Sequence, residues 1–124
     1  MLVAQLYLNG ACSEAIEVYQ QAFKTEIDSI MYDPDKEPDQ FVFHAEMHIL
    51  GTRVMLSDFG GQKCAGAEST MELVAVFENE EALREAYNIL IDGGTIITPI
   101  GPTFYSVCLT SLTDRFGVRW CFMV

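Results

Sequence analysis

Apolar residues along the chain recur with two periods, and the places where the period changes mark out the elements. Leu2 to Asn9 alternates apolar and polar positions, which predicts a strand. Ala15, Ile16, Tyr19, Ala22 and Phe23 then recur at helical spacing, with Ser13 placed as N-cap. Thr25 to Tyr32 is a second strand, and the polar run Asp33 to Asp39, with two prolines, is a loop. Phe41–Leu50 and Arg53–Asp58 are expected to form a hairpin around Gly51-Thr52, where glycine supplies the positive φ of a type II′ turn. That turn would pair Leu50 with Arg53, His48 with Met55 and Glu46 with Ser57. Beyond the glycine-rich stretch 59–69, Met71–Phe77 is a strand, Glu80–Ile91 a helix capped by Asn79 and ended near Gly93, and Thr95–Ile100, Phe104–Leu109 and Val118–Met123 are strands.

The pattern occurs twice. Glu14-Ala15-Ile16 is answered 67 positions later by Glu81-Ala82-Leu83, each opening an amphipathic helix. Gly51-Thr52-Arg53-Val54-Met55-Leu56 is answered 66 positions later by Gly117-Val118-Arg119-Trp120-Cys121-Phe122, both reading Gly-x-Arg-apolar-x-apolar. Two landmarks sharing an offset near half the chain length indicate an internal duplication of a β-α-β-β-β unit. Module one spans 1–58, the linker 59–69 and module two 70–124, together expected to make one domain.

Composition narrows the function classes. The 124 residues carry 7 Lys and Arg against 18 Asp and Glu, a formal charge of −11, while half are hydrophobic. A chain of this acidity lacks the clustered cations that bind nucleic acid or an anionic membrane surface. No apolar run is long enough to cross a bilayer, and the N-terminus shows no basic stretch or cleavage site of a signal peptide. The four cysteines, Cys12, Cys64, Cys108 and Cys121, have no CxxC spacing and are expected as reduced thiols in a cytoplasmic protein. Residues 26–39 hold six acids and one lysine, and residues 78–92 hold five acids and one arginine. The charge therefore gathers in a loop region and on the second helix, away from the hairpin strands.

Paired β-α-β-β-β modules of this size resemble the vicinal oxygen chelate superfamily, which includes glyoxalase I, bleomycin-resistance proteins and extradiol dioxygenases. Within it the chain resembles the PhnB-like branch, on the residues Tyr7-Leu8-Asn9-Gly10, Glu14-Ala15-Ile16, Tyr19, His44-Ala45, Met55-Leu56-Ser57-Asp58 and Thr113-Asp114-Arg115-Phe116-Gly117-Val118-Arg119-Trp120. The region 105–112 departs from the Gly-rich, Trp-containing pattern of that branch. The resemblance implies an α+β fold: two tandem modules forming a curled, cup-like mixed sheet, helices on the outer face, a small-molecule ligand in the cup, and a homodimer.

Strand alternation puts Phe43, Ala45, Met47, Ile49, Val54 and Leu56 on an apolar face that packs under the helices. The other face carries His44, Glu46 and His48 beside Arg53, Met55 and Ser57. An antiparallel sheet often leaves such a face to solvent. The resemblance instead makes it the lining of the cup, with His44, His48, Arg53, Met55, Phe104, Tyr105, Arg119 and Cys121 as ligand-binding candidates. His44 and Glu46 are candidates for acid–base exchange, since imidazole titrates near neutrality and a neighbouring carboxylate orients it. Arg53 and Arg119 suit bidentate contact with a carboxylate or phosphate, or else stand solvated at the rim. Asp58 and Asp114 suit acceptance of backbone N–H groups in turns. Trp120, in step with Phe122, suits the core, and Cys121 is either a small buried apolar residue or a ligand contact.

The superfamily's metal ligands lie on the first and fourth strands of each module. The matching positions here are Gln5, Met55, Glu72 and Cys121. Thioether and thiol do not serve a hard cation such as Mg²⁺ or Mn²⁺, so this set implies no metal and no cofactor. Three readings follow: a metal-independent small-molecule-binding protein; a glyoxalase- or dioxygenase-type lyase or oxidoreductase using a divalent metal or His44; or a dimeric interaction module without a small ligand.

Overall fold

A computed structural model describes residues 1–58 and 69–124. The chain divides into two compact units, Met1–Lys63 and Cys64–Val124, and the division falls inside the stretch expected as a linker. Ser69 apart, that linker and Cys64 lie outside the described residues.

Module one runs β1 (Ala4–Tyr7), α1 (Cys12–Phe23), β2 (Ile27–Tyr32), β3 (Val42–Ile49) and β4 (Thr52–Ser57). Module two runs β5 (Leu73–Val76), α2 (Glu80–Leu90), β6 (Thr95–Gly101), β7 (Leu109–Thr113) and β8 (Arg119–Met123). Each builds its own four-stranded mixed sheet, in the orders β1-β4-β3-β2 and β5-β8-β7-β6. In both, the first strand pairs in parallel with the fourth, and the other ladders are antiparallel. The fold is thus α+β, and the duplication seen in the sequence is a duplication of topology.

The apolar stripes fill two cores. In module one, Ala15, Ile16, Tyr19, Ala22 and Phe23 of α1 are buried, as are Ala45, Met47, Val54 and Leu56 on one face of the sheet. In module two, Leu83, Ala86 and Leu90 of α2 are buried, with Ala75, Leu112, Trp120 and Phe122. Phe122 packs edge-on against Phe77 at 5.0 Å and against Trp120 at 6.0 Å, the tilted geometry favoured by aromatic quadrupoles.

Three expectations need correction. The hairpin turns at Leu50-Gly51, not Gly51-Thr52, so Ile49 pairs with Thr52, His48 with Arg53 and Glu46 with Met55. Leu50 and Gly51 both take positive φ, 48° and 85°, as a type I′ turn requires. The register moves by two residues, and the faces are unchanged because side chains alternate with period two.

β7 begins at Leu109, five residues later than expected. Thr103 Oγ1 accepts N–H bonds from Tyr105 and Ser106, and Thr103 N–H bonds the Ser106 carbonyl, closing a tight turn that Pro102 precedes. Ser106 Oγ then donates to the carbonyls of Cys108 and Val124. These bonds take up groups that a strand would direct into a ladder.

Finally, α1 starts at Cys12, after a non-capping Ala11, and Ser13 is inside its first turn. One orphan donor of its first turn is met from a distance: Asp58 Oδ1 accepts from Cys12 N–H (2.9 Å) and from the preceding Gly10 N–H (2.7 Å), while Oδ2 accepts from Val42 (2.9 Å). By contrast α2 is capped as expected, with Asn79 Oδ1 accepting from Ala82 N–H at 2.8 Å.

Candidate functional site

The sheet face away from the helix carries the polar chemistry in each module. In module one, ladder registers align Ser29, Glu46, Met55 and Gln5 in one row across all four strands. The corresponding row of module two is Thr98, Ser111, Cys121 and Val74. The second strand of each module has a register shift at the same place, between Ile27 and Ser29 and between Ile96 and Thr98. A shift of this kind inserts an extra residue and redirects side chains.

Glu46 is the centre of module one's face. Its Oε2 is 2.9 Å from His44 Nε2, and its Oε1 accepts the Arg53 Nε–H. The Arg53 and His44 contacts hold the Glu46 carboxyl well below the usual range, at about 2. Reciprocally, Glu46 raises the Arg53 pKa. His44 and Arg53 are thus brought together, as the shared face required, but through a glutamate that already engages both.

His48 shares the face and is otherwise engaged. Its Nδ1 pairs with Asp28 Oδ2, and both groups are about half exposed. Asp28 is the extra residue of the β2 register shift, which is why strand alternation alone did not place it there.

Module two repeats the arrangement with different parts. Arg119 Nε donates to Glu72 Oε2 at 3.0 Å, and its Nη1 donates to the Ser69 carbonyl at 3.1 Å. Arg53 and Arg119 are therefore equivalent by register, since each follows its glycine into the fourth strand. Their glutamates are not equivalent: Glu46 lies on the third strand, and Glu72 immediately before the first. Within this face Thr113, paired in register with Arg119, has a buried hydroxyl with no hydrogen-bond partner.

Cys121 is buried, and its thiol pKa is raised by that burial and by Glu72, partly offset by Arg119. It is a poor thiolate. Cys12 is pushed further, to about 12, by burial and then by the Asp58 carboxylate. Phe104 and Tyr105 project from the Thr103 turn, Phe104 almost fully exposed, and touch each other edge-on at 4.9 Å. Trp120 is in the core, and its Nε1–H donates to Asp114 Oδ2 at 2.9 Å. Asp114 Oδ1 accepts from the N–H groups of Phe116 and Val118, so this aspartate braces the β7–β8 turn. A separate open groove at the end of α1, of about 480 Å³, is lined by Glu17, Gln20, Gln21, Thr25, Glu26 and Ile27 and includes no candidate residue.

The metal positions can now be tested on their donors. Gln5 pairs in register with Met55, and the residue paired with Cys121 is Val74, not Glu72. First strands are therefore 69 positions apart where fourth strands are 66 apart, so counting from the repeat fell two residues short. Val74 has no donor atom, Met55 offers a thioether, and Glu72 is committed to Arg119. Among the described residues, no group of three or more His, Cys, Asp or Glu is placed to hold a metal ion. The residues do not fit the superfamily's divalent cation.

Comparison with known proteins agrees with this architecture. The model of the glyoxalase/bleomycin resistance protein/dioxygenase superfamily matches residues 6–122. Protein YjdN of Escherichia coli (strain K12) is 28% identical, with 90% of this chain and 86% of that one covered. Among solved structures, the PhnB protein from Bacillus cereus is similar at 26% identity and a TM-score of 0.84, covering 98% of this chain and 97% of its own. Protein PA1353 from Pseudomonas aeruginosa is similar at 25% identity and a TM-score of 0.83, covering 99% and 96%. The chain belongs to the glyoxalase/bleomycin resistance protein/dioxygenase superfamily.

Proposed function

We propose that this member of the glyoxalase/bleomycin resistance protein/dioxygenase superfamily binds a small organic molecule on the sheet faces opposite its helices, without the divalent metal of the superfamily's enzymes. The observation that carries the reading is the donor set. The family's fold is intact, while the metal positions hold Gln5, Met55, Val74 and Cys121. A fold that has lost its Lewis acid but kept a polar, half-exposed face is suited to holding a ligand. Met55, Arg53 and His44 in module one, and Arg119, Cys121, Phe104 and Tyr105 in module two, are the contacts proposed.

Elemental analysis of protein purified without chelator tests the metal-free part. Less than a tenth of an equivalent of Zn, Mn, Ni or Fe is expected, and one equivalent per chain overturns it. A thermal-shift screen with small aromatic compounds tests binding, because a ligand held only by the native state raises the melting temperature.

A second reading rests on the 2.9 Å contact between His44 and Glu46. A carboxylate on one imidazole nitrogen leaves the other to exchange a proton with a bound carbon or oxygen acid. In that case His44→Ala abolishes turnover and spares binding. We also propose a homodimer, to be checked by light scattering across concentration.

A further inference from the structure

Resting on the binding reading above, we infer that the group a ligand presents to either sheet face carries no negative charge, because a glutamate of the protein already occupies the anion position of Arg53 and of Arg119. An arginine available to a carboxylate or phosphate presents its N–H fork to open space. Here Arg53 gives its Nε–H to Glu46 and an Nη1–H to Met1 Sδ, and Arg119 gives Nε–H to Glu72 and Nη1–H to the Ser69 carbonyl.

An anion arriving at either guanidinium meets an arginine already ion-paired to a glutamate. The glutamate's repulsion opposes the arginine's attraction, so the net pull on an anion is weakened. Glu46 keeps its charge through the ordinary pH range, so the neutralisation is permanent.

The pairing occurs twice. The arginines come from the duplicated Gly-x-Arg motif, but the glutamates come from non-equivalent positions, β3 in one module and the residue before β5 in the other. Duplication alone would have copied one solution. Two separate solutions pair each arginine with a glutamate. The other polar groups of the rows are Gln5, Ser29, Thr98 and Ser111, all neutral hydrogen-bonding side chains, and Val74 adds exposed apolar surface. The ligand class that fits is an uncharged, hydrogen-bonding molecule with an apolar or aromatic body, such as an amide or a phenol.

The test uses benzamide and benzoate, close in shape and different in charge, with inorganic phosphate as a third probe, each titrated into the whole isotopically labelled chain and followed by amide chemical shifts. Benzamide is expected to move resonances of β3, β4 and β8, with benzoate and phosphate at least tenfold weaker. Equal or tighter binding of benzoate overturns the inference. Glu46→Gln keeps the side-chain shape and releases Arg53. It is expected to strengthen benzoate or phosphate binding by about fivefold at module one, from loss of one like charge at close range, and Glu72→Gln to do so at module two. If no probe binds the unaltered chain, the binding reading loses its support. A gain of phosphate binding in the two variants would still uphold the occupied arginines, and no gain in either would overturn them. Near-UV circular dichroism confirms that each variant is folded.

Discussion

Modules one and two share strand order and ladder pattern, yet each secures its helix and its buried aspartate differently. In module one, Asp58 at the end of β4 accepts three backbone N–H groups, from Gly10, Cys12 and Val42. One carboxylate thereby fastens the start of α1 and the start of β3 to the last strand. In module two the helix caps itself through Asn79, and Asp114 instead fastens the β7–β8 turn and the Trp120 indole. The same topology tolerates either scheme because what the fold requires is that the N-terminal donors of the helix be met, not which residue meets them. The faces differ in the same way. Module one carries the hydrogen-bonded His44–Glu46–Arg53 cluster, and module two carries hydroxyls, a thiol and a valine, with the Arg119–Glu72 ion pair at the end of its row.

The sharpest way to break this comparison is Asp58→Ala. It strands the buried N–H groups of Cys12 and Val42 and the part-buried one of Gly10, and each buried group left unpaired costs about 1–3 kcal/mol, so a total of roughly 3–5 kcal/mol is expected. Chemical denaturation followed by far-UV circular dichroism would show it, and a loss below about 1 kcal/mol would mean that water or another group replaces the carboxylate. Asp114→Ala is next, at roughly 2–4 kcal/mol, since it frees two turn N–H groups and the buried indole N–H. Trp120 is the chain's single tryptophan, so its emission reports module two directly and should shift to the red in this variant. Asn79→Ala removes a local cap alone and is expected to cost about 1 kcal/mol, visible as a small drop in melting temperature.

The smallest effect concerns acid. Glu46 has a folded pKa near 2, below the ordinary 4.5. A group whose folded pKa is depressed contributes stability above its unfolded pKa and loses it as pH falls through the folded one. Stability tied to Glu46 is thus present above about pH 4.5 and disappears between there and pH 2. Glu46→Gln should flatten that part of the acid titration of stability. An unchanged acid limb would show that the pair contributes nothing measurable, as many exposed ion pairs do.

How legible all this was depends on the range of the interaction. The faces of β3 and β4 survived a two-residue error in register, because the period of a strand is two. The turn itself was hidden because leucine rarely adopts the left-handed region, and Leu50 does so at φ 48°. Phe104 to Leu109 looked like a strand from its aromatic and β-branched residues. One hydroxyl, Thr103 Oγ1, was enough to draw that backbone into a turn. Among the site residues, the shared face of His44, Glu46 and Arg53 followed from alternation. Asp28 and Thr113 were missed, the first because a register shift moved it, the second because pairing across strands leaves no mark in local sequence; Glu72 was read as a metal position and not as the partner of Arg119. Glu72 also illustrates the limit of repeat counting: loop lengths differ between modules, so one offset does not align all four strands.

By itself, the sequence determined the duplication, the order of elements, the two apolar stripes and the polarity of each strand face, since these are local periodicities repeated in one dimension. The tertiary structure decided what each polar group does. Whether Arg53 and Arg119 are free for a ligand or already neutralised, whether Glu72 or Val74 stands opposite Cys121, and whether Asp58 caps a helix 46 residues away are matters of register and distance. Electrostatic and hydrogen-bond energies fall off over a few ångströms, and only the folded chain sets those.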